Sequence, residues 1–98
     1  MPAEADIESH FVREVGKLYN WPCLKLRIDG QAGFPDRTVL TPRGPWFCEF
    51  KSPRGGRLSA HQQSWRALLL RLGYPFCIAT DSATAMESLR VWYVGQKH

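Results

Sequence analysis

The sequence is short of cysteine, and the three it has (Cys23, Cys48 and Cys77) form no CxxC pair. That spacing writes neither a disulfide framework nor a zinc knuckle, and it predicts buried thiols in a reducing compartment. Long hydrophobic runs are missing too: nothing approaches the roughly 20 apolar residues needed to span a bilayer. The first residues, MPAEADIESHF, are acidic and lack a basic stretch followed by an apolar one, so no secretory signal is expected. These absences point to an intracellular protein. With 98 residues there is room for one two-layer core, and a separate cofactor domain is excluded. Acids are scarce in the middle of the chain. Between residues 25 and 71 only Asp29, Asp36 and Glu49 oppose nine bases: Lys25, Arg27, Arg37, Arg43, Lys51, Arg54, Arg57, Arg66 and Arg71. Within a net charge of +4, that clustering suits a polyanion such as a nucleic-acid backbone.

What is present is a set of clear periodicities. Ile7, Phe11, Val12, Val15 and Leu18 recur at helical spacing and predict a helix over 4–19, ended by Asn20–Trp21–Pro22. Residues 23–29 alternate and predict a half-buried strand. A loop with Gly30, Gly33 and Pro35 leads to a second strand over 37–41, a tight turn over 42–45, and a third strand over 46–51. After the basic loop SPRGGR, a second helix is expected from Ser59 to about Leu72. Ser59 and Gln62 stand at capping-box spacing, and Gly73 ends the helix. A central or near-central apolar strand over 74–80 and a third helix capped by Asp81 complete the order. The expectation is a single α/β domain spanning 1–98, with α-β-β-β-α-β-α order and a mixed sheet flanked by helices.

The third strand carries the chemistry. Glu49 and Lys51 leave the same face, opposite Trp46, Cys48 and Phe50. Pairing back from a turn flanked by Thr41 and Trp46 brings Asp36 close to Lys51, so Asp36, Glu49 and Lys51 converge. Two adjacent carboxylates repel unless a cation lies between them, and hard oxygen donors suit Mg²⁺, with Mn²⁺ able to substitute. A lysine beside them can orient or deprotonate water. On the first helix, Glu4 and Glu8 point into the arc of the apolar stripe. A carboxylate there needs a partner or a metal.

Gly33–Phe34–Pro35–Asp36, Glu49–Phe50–Lys51 and Leu58–Ser59–Ala60–His61–Gln62, in that order, resemble the PD-(D/E)xK nuclease superfamily. More narrowly they resemble its minimal stand-alone virus-type replication-repair nuclease (VRR-NUC) domain, with 12 residues between Asp36 and Glu49. The resemblance implies a restriction-endonuclease-like fold and an Mg²⁺-dependent endodeoxyribonuclease. Asp36, Glu49 and the backbone carbonyl of Phe50 would be metal ligands, with Glu8 as the helical acid and Glu4 its competitor. Lys51 would activate water, and Gln62 would hold the water or a phosphate oxygen.

Arg37, Arg43, Arg54 and Arg57 are candidates for gripping DNA phosphates, and His61 is a packing or contact residue. The implied substrate is branched DNA, with four-way (Holliday) junctions foremost. The implied setting is DNA repair in the cytoplasm of a bacterial or phage-infected cell. Paired incisions would need two sites, hence a homodimer, with Trp21, Trp92 and Tyr93 as candidate interface aromatics. Two alternatives stay open: a general or sequence-preferring repair endonuclease, and a non-catalytic DNA-binding module.

Overall fold

The computed structural model describes residues 3–95. Its elements are α1 (Glu4–Leu18), β1 (Cys23–Leu24), β2 (Arg37–Thr41), β3 (Gly44–Phe50), α2 (Ala60–Arg71), β4 (Phe76–Ala79) and α3 (Ser82–Gly95). The strands form one sheet in the order β1-β2-β3-β4, antiparallel for the first two pairings and parallel for β3 with β4. The parallel step follows from α2, which carries the chain across between β3 and β4. This is the expected α-β-β-β-α-β-α order with a mixed sheet between helices.

Alternation along β3 divides the molecule. Trp46, Cys48 and Phe50 enter a core with Ile7, Phe11 and Val15 of α1, Val39 of β2, Cys77 and Ala79 of β4, and Ala85 and Leu89 of α3. Phe11 sits against both Trp46 and Phe50, with ring centroids 5.8 and 5.4 Å away. Each large side chain fully buried there contributes about 1.5–3 kcal/mol. Phe47 and Glu49 leave β3 toward α2, a thinner layer in which Leu69 is the one buried residue of the helix. Of the apolar stripe expected on α2, Trp65 and Leu68 are half-buried and Leu72 is exposed. On α1 the stripe ends early, with Leu18 exposed. No helix of the described residues is long and apolar enough to cross a membrane.

Three expectations need correction. The first strand is two residues long rather than seven. Continuing its register would set Leu26 against Asp36 and Arg27 against Pro35, which has no N–H to give the ladder. The chain instead turns away through an isolated bridge between Ile28 and Gln31. The β2–β3 turn is also tighter than expected. Thr41 pairs with Gly44, leaving only Pro42 and Arg43 in the loop. The Thr41 hydroxyl closes it by accepting from the Arg43 N–H and donating to the Gly44 carbonyl. Finally, β4 lies at the edge of the described sheet, not near its centre.

The aromatics expected at an interface pack within the chain. Trp21 stacks on Tyr19 at 4.3 Å and contacts Tyr93 at 4.8 Å, while Trp92 packs against the core.

Candidate functional site

The corrected register is what assembles the site. Arg37 faces Cys48, so one further step sets Asp36 opposite Glu49 rather than near Lys51. Pro35, fully buried, fixes the approach, and the Asp36 Oδ2 accepts the Phe50 backbone N–H at 2.8 Å. That bond fastens the loop before β2 to the end of β3. Glu49 is 2% exposed. Burial first, and then the neighbouring Asp36 carboxylate, push its pKa up to about 7, against the pull of Lys51. A buried acid facing a second acid is the electrostatic signature of a place that favours a cation.

Lys51 arrives by another route. Its backbone N–H donates to the Ala79 carbonyl of β4 at 2.9 Å, so it is fixed just past the end of β3. Its Nζ lies 3.6 Å from Glu49 Oε2 and donates to Gln62 Oε1 at 2.9 Å. Gln62 is the hub. Its Oε1 also accepts the Ser59 N–H at 2.8 Å, while its own N–H donates to Ser59 Oγ at 3.2 Å, completing the capping box. Its Nε2 donates to Glu49 Oε2 at 2.8 Å. One amide therefore caps α2 and ties the helix to both Glu49 and Lys51. The oxygen faces two donors and the nitrogen faces a carboxylate, which fixes the orientation of the amide.

The loop before Asp36 is clamped to the same helix, a feature that sequence reading missed. Gly33 has φ +89°, and a Cβ there would stand 2.6 Å from the His61 carbonyl carbon and 2.7 Å from the Gln62 nitrogen. Only glycine lets the backbone approach the first turn of α2 so closely. The Trp65 Nε1 donates to the Ala32 carbonyl at 3.1 Å, and Phe34 meets Trp65 edge to face at 4.9 Å. The lone signal was the GFP triplet itself.

The remaining candidates lie around this cluster. Arg37 leaves β2 on the α1 side, where its Nε donates to Glu8 Oε2 at 2.6 Å; Lys25 reaches the same oxygen at 3.3 Å. Glu8 is thus held across the sheet from the face that carries Glu49. Glu4 is exposed. Arg43 is at the hairpin turn, a strand length of roughly 20 Å from Asp36, with its guanidinium 5.2 Å over the Tyr93 ring. Arg54 and Arg57 are exposed on the loop between Lys51 and α2, and His61 is exposed on the first turn of α2. Among the described residues no three His, Cys, Asp or Glu side chains form a metal-binding group. The oxygen donors that come together are Asp36 and Glu49, with Asp36 held on the Phe50 N–H. Two carboxylates completed by water and a substrate phosphate are sufficient for Mg²⁺, so the residues present fit such an ion.

No family model matches the sequence, and no curated protein matches it. The fold has a clear counterpart among solved structures. A chain described as a VRR_NUC domain superposes with a TM-score of 0.74 at 20% identity, covering 97% of this chain and 97% of that one. With its element order, mixed sheet and flanking helices, this chain has the restriction-endonuclease-like fold of a VRR_NUC domain.

Proposed function

We propose that this chain is a metal-dependent DNA endonuclease of the PD-(D/E)xK type that hydrolyses phosphodiester bonds in branched DNA, four-way junctions foremost. The observation that carries the reading is the joining of Glu49, Lys51 and Gln62 by short contacts, with Asp36 fastened to the Phe50 N–H beside them, on a VRR_NUC-like fold. Asp36, Glu49 and the Phe50 carbonyl would hold Mg²⁺ or Mn²⁺, which would neutralise charge on the phosphate and lower the pKa of water.

The chain's own groups do the rest. The Lys51 ammonium, restrained by Gln62, orients the attacking water and offsets negative charge growing on the phosphate oxygens. Gln62 keeps Lys51 and Glu49 at their separation, so neither has to reorganise as charge develops. Glu8 could join the ligand set only by giving up Arg37, and we assign it to holding that guanidinium. Arg54 and Arg57, free at the surface, are the better candidates for phosphate contacts than Arg37, which is committed to Glu8.

Two strands are cut by two sites. The β4 edge offers a surface for a second copy: Ile78 on the strand, with Leu70, Leu72 and Tyr74 nearby in the chain, is exposed. We assign the homodimer contact to this edge rather than to Trp21, Trp92 and Tyr93.

Incubating the chain with labelled four-way junction, flap and linear duplex, each with Mg²⁺, Mn²⁺ or EDTA, tests the reading. Cleavage of the junction with either metal is expected, with none in EDTA. Lys51→Ala should abolish cutting and retain binding. Equal cutting of all three DNAs would remove the junction assignment, and cutting in EDTA would remove the metal mechanism.

A further inference from the structure

Beside the acid cluster, between the 30–32 backbone and α2, lies a cavity of about 280 Å³ lined by Gly30, Gln31, Ala32, His61, Ser64, Trp65 and Leu68. Its wall includes His61, the chain neighbour of Gln62, and the Gly33 backbone beside it packs on both, so the cavity opens on the same turn of α2 that carries Gln62. Its walls are of two kinds. Trp65 and Leu68 are half-buried and apolar, and the indole is locked by its bond to Ala32 and by Phe34. Gln31, His61 and Ser64 are exposed and supply donors and acceptors around the rim. The backbone at Gly30 has open space beside it, with no atom within 4 Å of where a Cβ would stand.

A planar, hydrogen-bonding aromatic ring suits such a site, whereas a sugar or a phosphate would leave its apolar wall unused. The adjoining concavity, which shares Gly30, Gln31 and Ala32, is lined by Lys25 and Arg27 together with Asp29 and Asp36, and so joins the cavity to one of the two site carboxylates. We propose that this cavity takes one unpaired nucleobase flanking the phosphate that is cut.

This rests on the nuclease reading and deepens it, because it names the feature of the DNA that the chain recognises. A base in intact duplex is stacked and paired and cannot enter without being extruded, which costs its pairing and stacking. At a gap or flap it is already free, and at the centre of a four-way junction, where the stack is interrupted, the still-paired base is extruded more cheaply than in continuous duplex. The chain would then prefer branched DNA through a single base pocket on the helix that carries Gln62. Stacking one base on an aromatic side chain changes affinity by about tenfold or more.

The test uses the whole chain in EDTA with a gapped duplex carrying one unpaired 2-aminopurine, and with the same base paired in an intact duplex. Quenching on binding should occur in the gapped DNA alone. Ser64→Leu, at an exposed position, fills the cavity with a side chain that cannot stack, and His61→Ala opens its wall. Both should remove the quenching and weaken gapped-DNA binding about tenfold, leaving duplex binding and the melting temperature unchanged. An abasic residue in place of the 2-aminopurine should bind as weakly as the Ser64→Leu pair. Unchanged quenching and affinity in both variants would overturn the proposal. A chain that cuts junctions with Mg²⁺ but shows no base-dependent binding leaves the nuclease reading standing and removes the pocket. Base-dependent binding without cleavage does the reverse.

Discussion

Glu49 is the residue on which site and stability meet. Its pKa, raised from an ordinary 4.5 to about 7 by burial and by Asp36, means that the folded chain holds a proton the unfolded chain has released. Between those values the folded state binds more protons, so the metal-free chain loses stability as pH rises. The shift corresponds to a loss on the order of 3 kcal/mol between pH 4.5 and pH 8. Thermal melts in EDTA across that range should show the decline, and Glu49→Gln should flatten it. A flat wild-type profile would mean that burial and the Asp36 carboxylate do not raise the Glu49 carboxyl. Adding Mg²⁺ should recover stability mainly at pH 7 and above, because ligation requires the carboxylate form. The same variant should abolish cleavage and leave junction binding within a few-fold. At this scale the sequence was highly legible: residue types, strand alternation and the Ser59–Gln62 spacing all pointed to Glu49, Lys51 and Gln62. What it hid was partner choice. That Arg37 turns to Glu8, and that one Gln62 oxygen serves both Ser59 and Lys51, depends on distances between elements remote in sequence.

Elements were legible in kind and less so in extent. Helix boundaries followed caps and periodicity, both local properties, and fell close to expectation. The first strand did not, because its length is set by its partner: Pro35, far along the chain, ends the ladder that residues 25–27 would otherwise have joined. The hairpin register slipped by two for a similarly local cause, the Thr41 hydroxyl and Gly44 closing a two-residue turn. The even slip kept every side chain on its face, so the carboxylates still met. The least legible contact is the clamp of the 30–36 loop on α2, and it gives a paired test. Gly33→Ala would drive a methyl into the His61 and Gln62 backbone, whereas Gly30→Ala, also at positive φ, has open space. The Gly30 change should cost about 1 kcal/mol for backbone strain alone. Gly33→Ala should cost about 2 kcal/mol more and lower cleavage further than its loss of stability explains, because it moves Gln62. Equal melting temperatures for the two would show that the loop is not wedged against the helix.

For the molecule as a whole, the division of the sheet into two unequal layers accounts for both what is stable and what is available. The α1–α3 side holds the large core, including Trp46, Phe11, Phe50 and Leu89. The α2 side buries one helix residue and carries the acid cluster, the base-sized cavity and the exposed loop arginines. A thin layer is a poor source of stability, yet under the proposed function it is the side from which DNA would approach the acid cluster. It also leaves β4 as an edge, with Ile78 43% exposed and Leu72 60% exposed in the adjoining turn. Unpaired edges invite another strand, and an isologous pairing there would set two acid clusters about a two-fold axis. Placing a charge beside the edge separates the dimer from the fold and from the acid cluster if it is put at Leu72, which is exposed in the turn before β4, rather than at Ile78, which pairs with Glu49 and shares its face. Leu72→Lys should run as a monomer by light scattering with its melting temperature within a few degrees of wild type. It should nick junctions in one strand, with paired incisions lost. A dimer unaffected by Leu72→Lys would move the interface to another face. A wild-type chain that is monomeric at every concentration yet makes paired cuts would show that two sites need not be joined before they meet on the DNA.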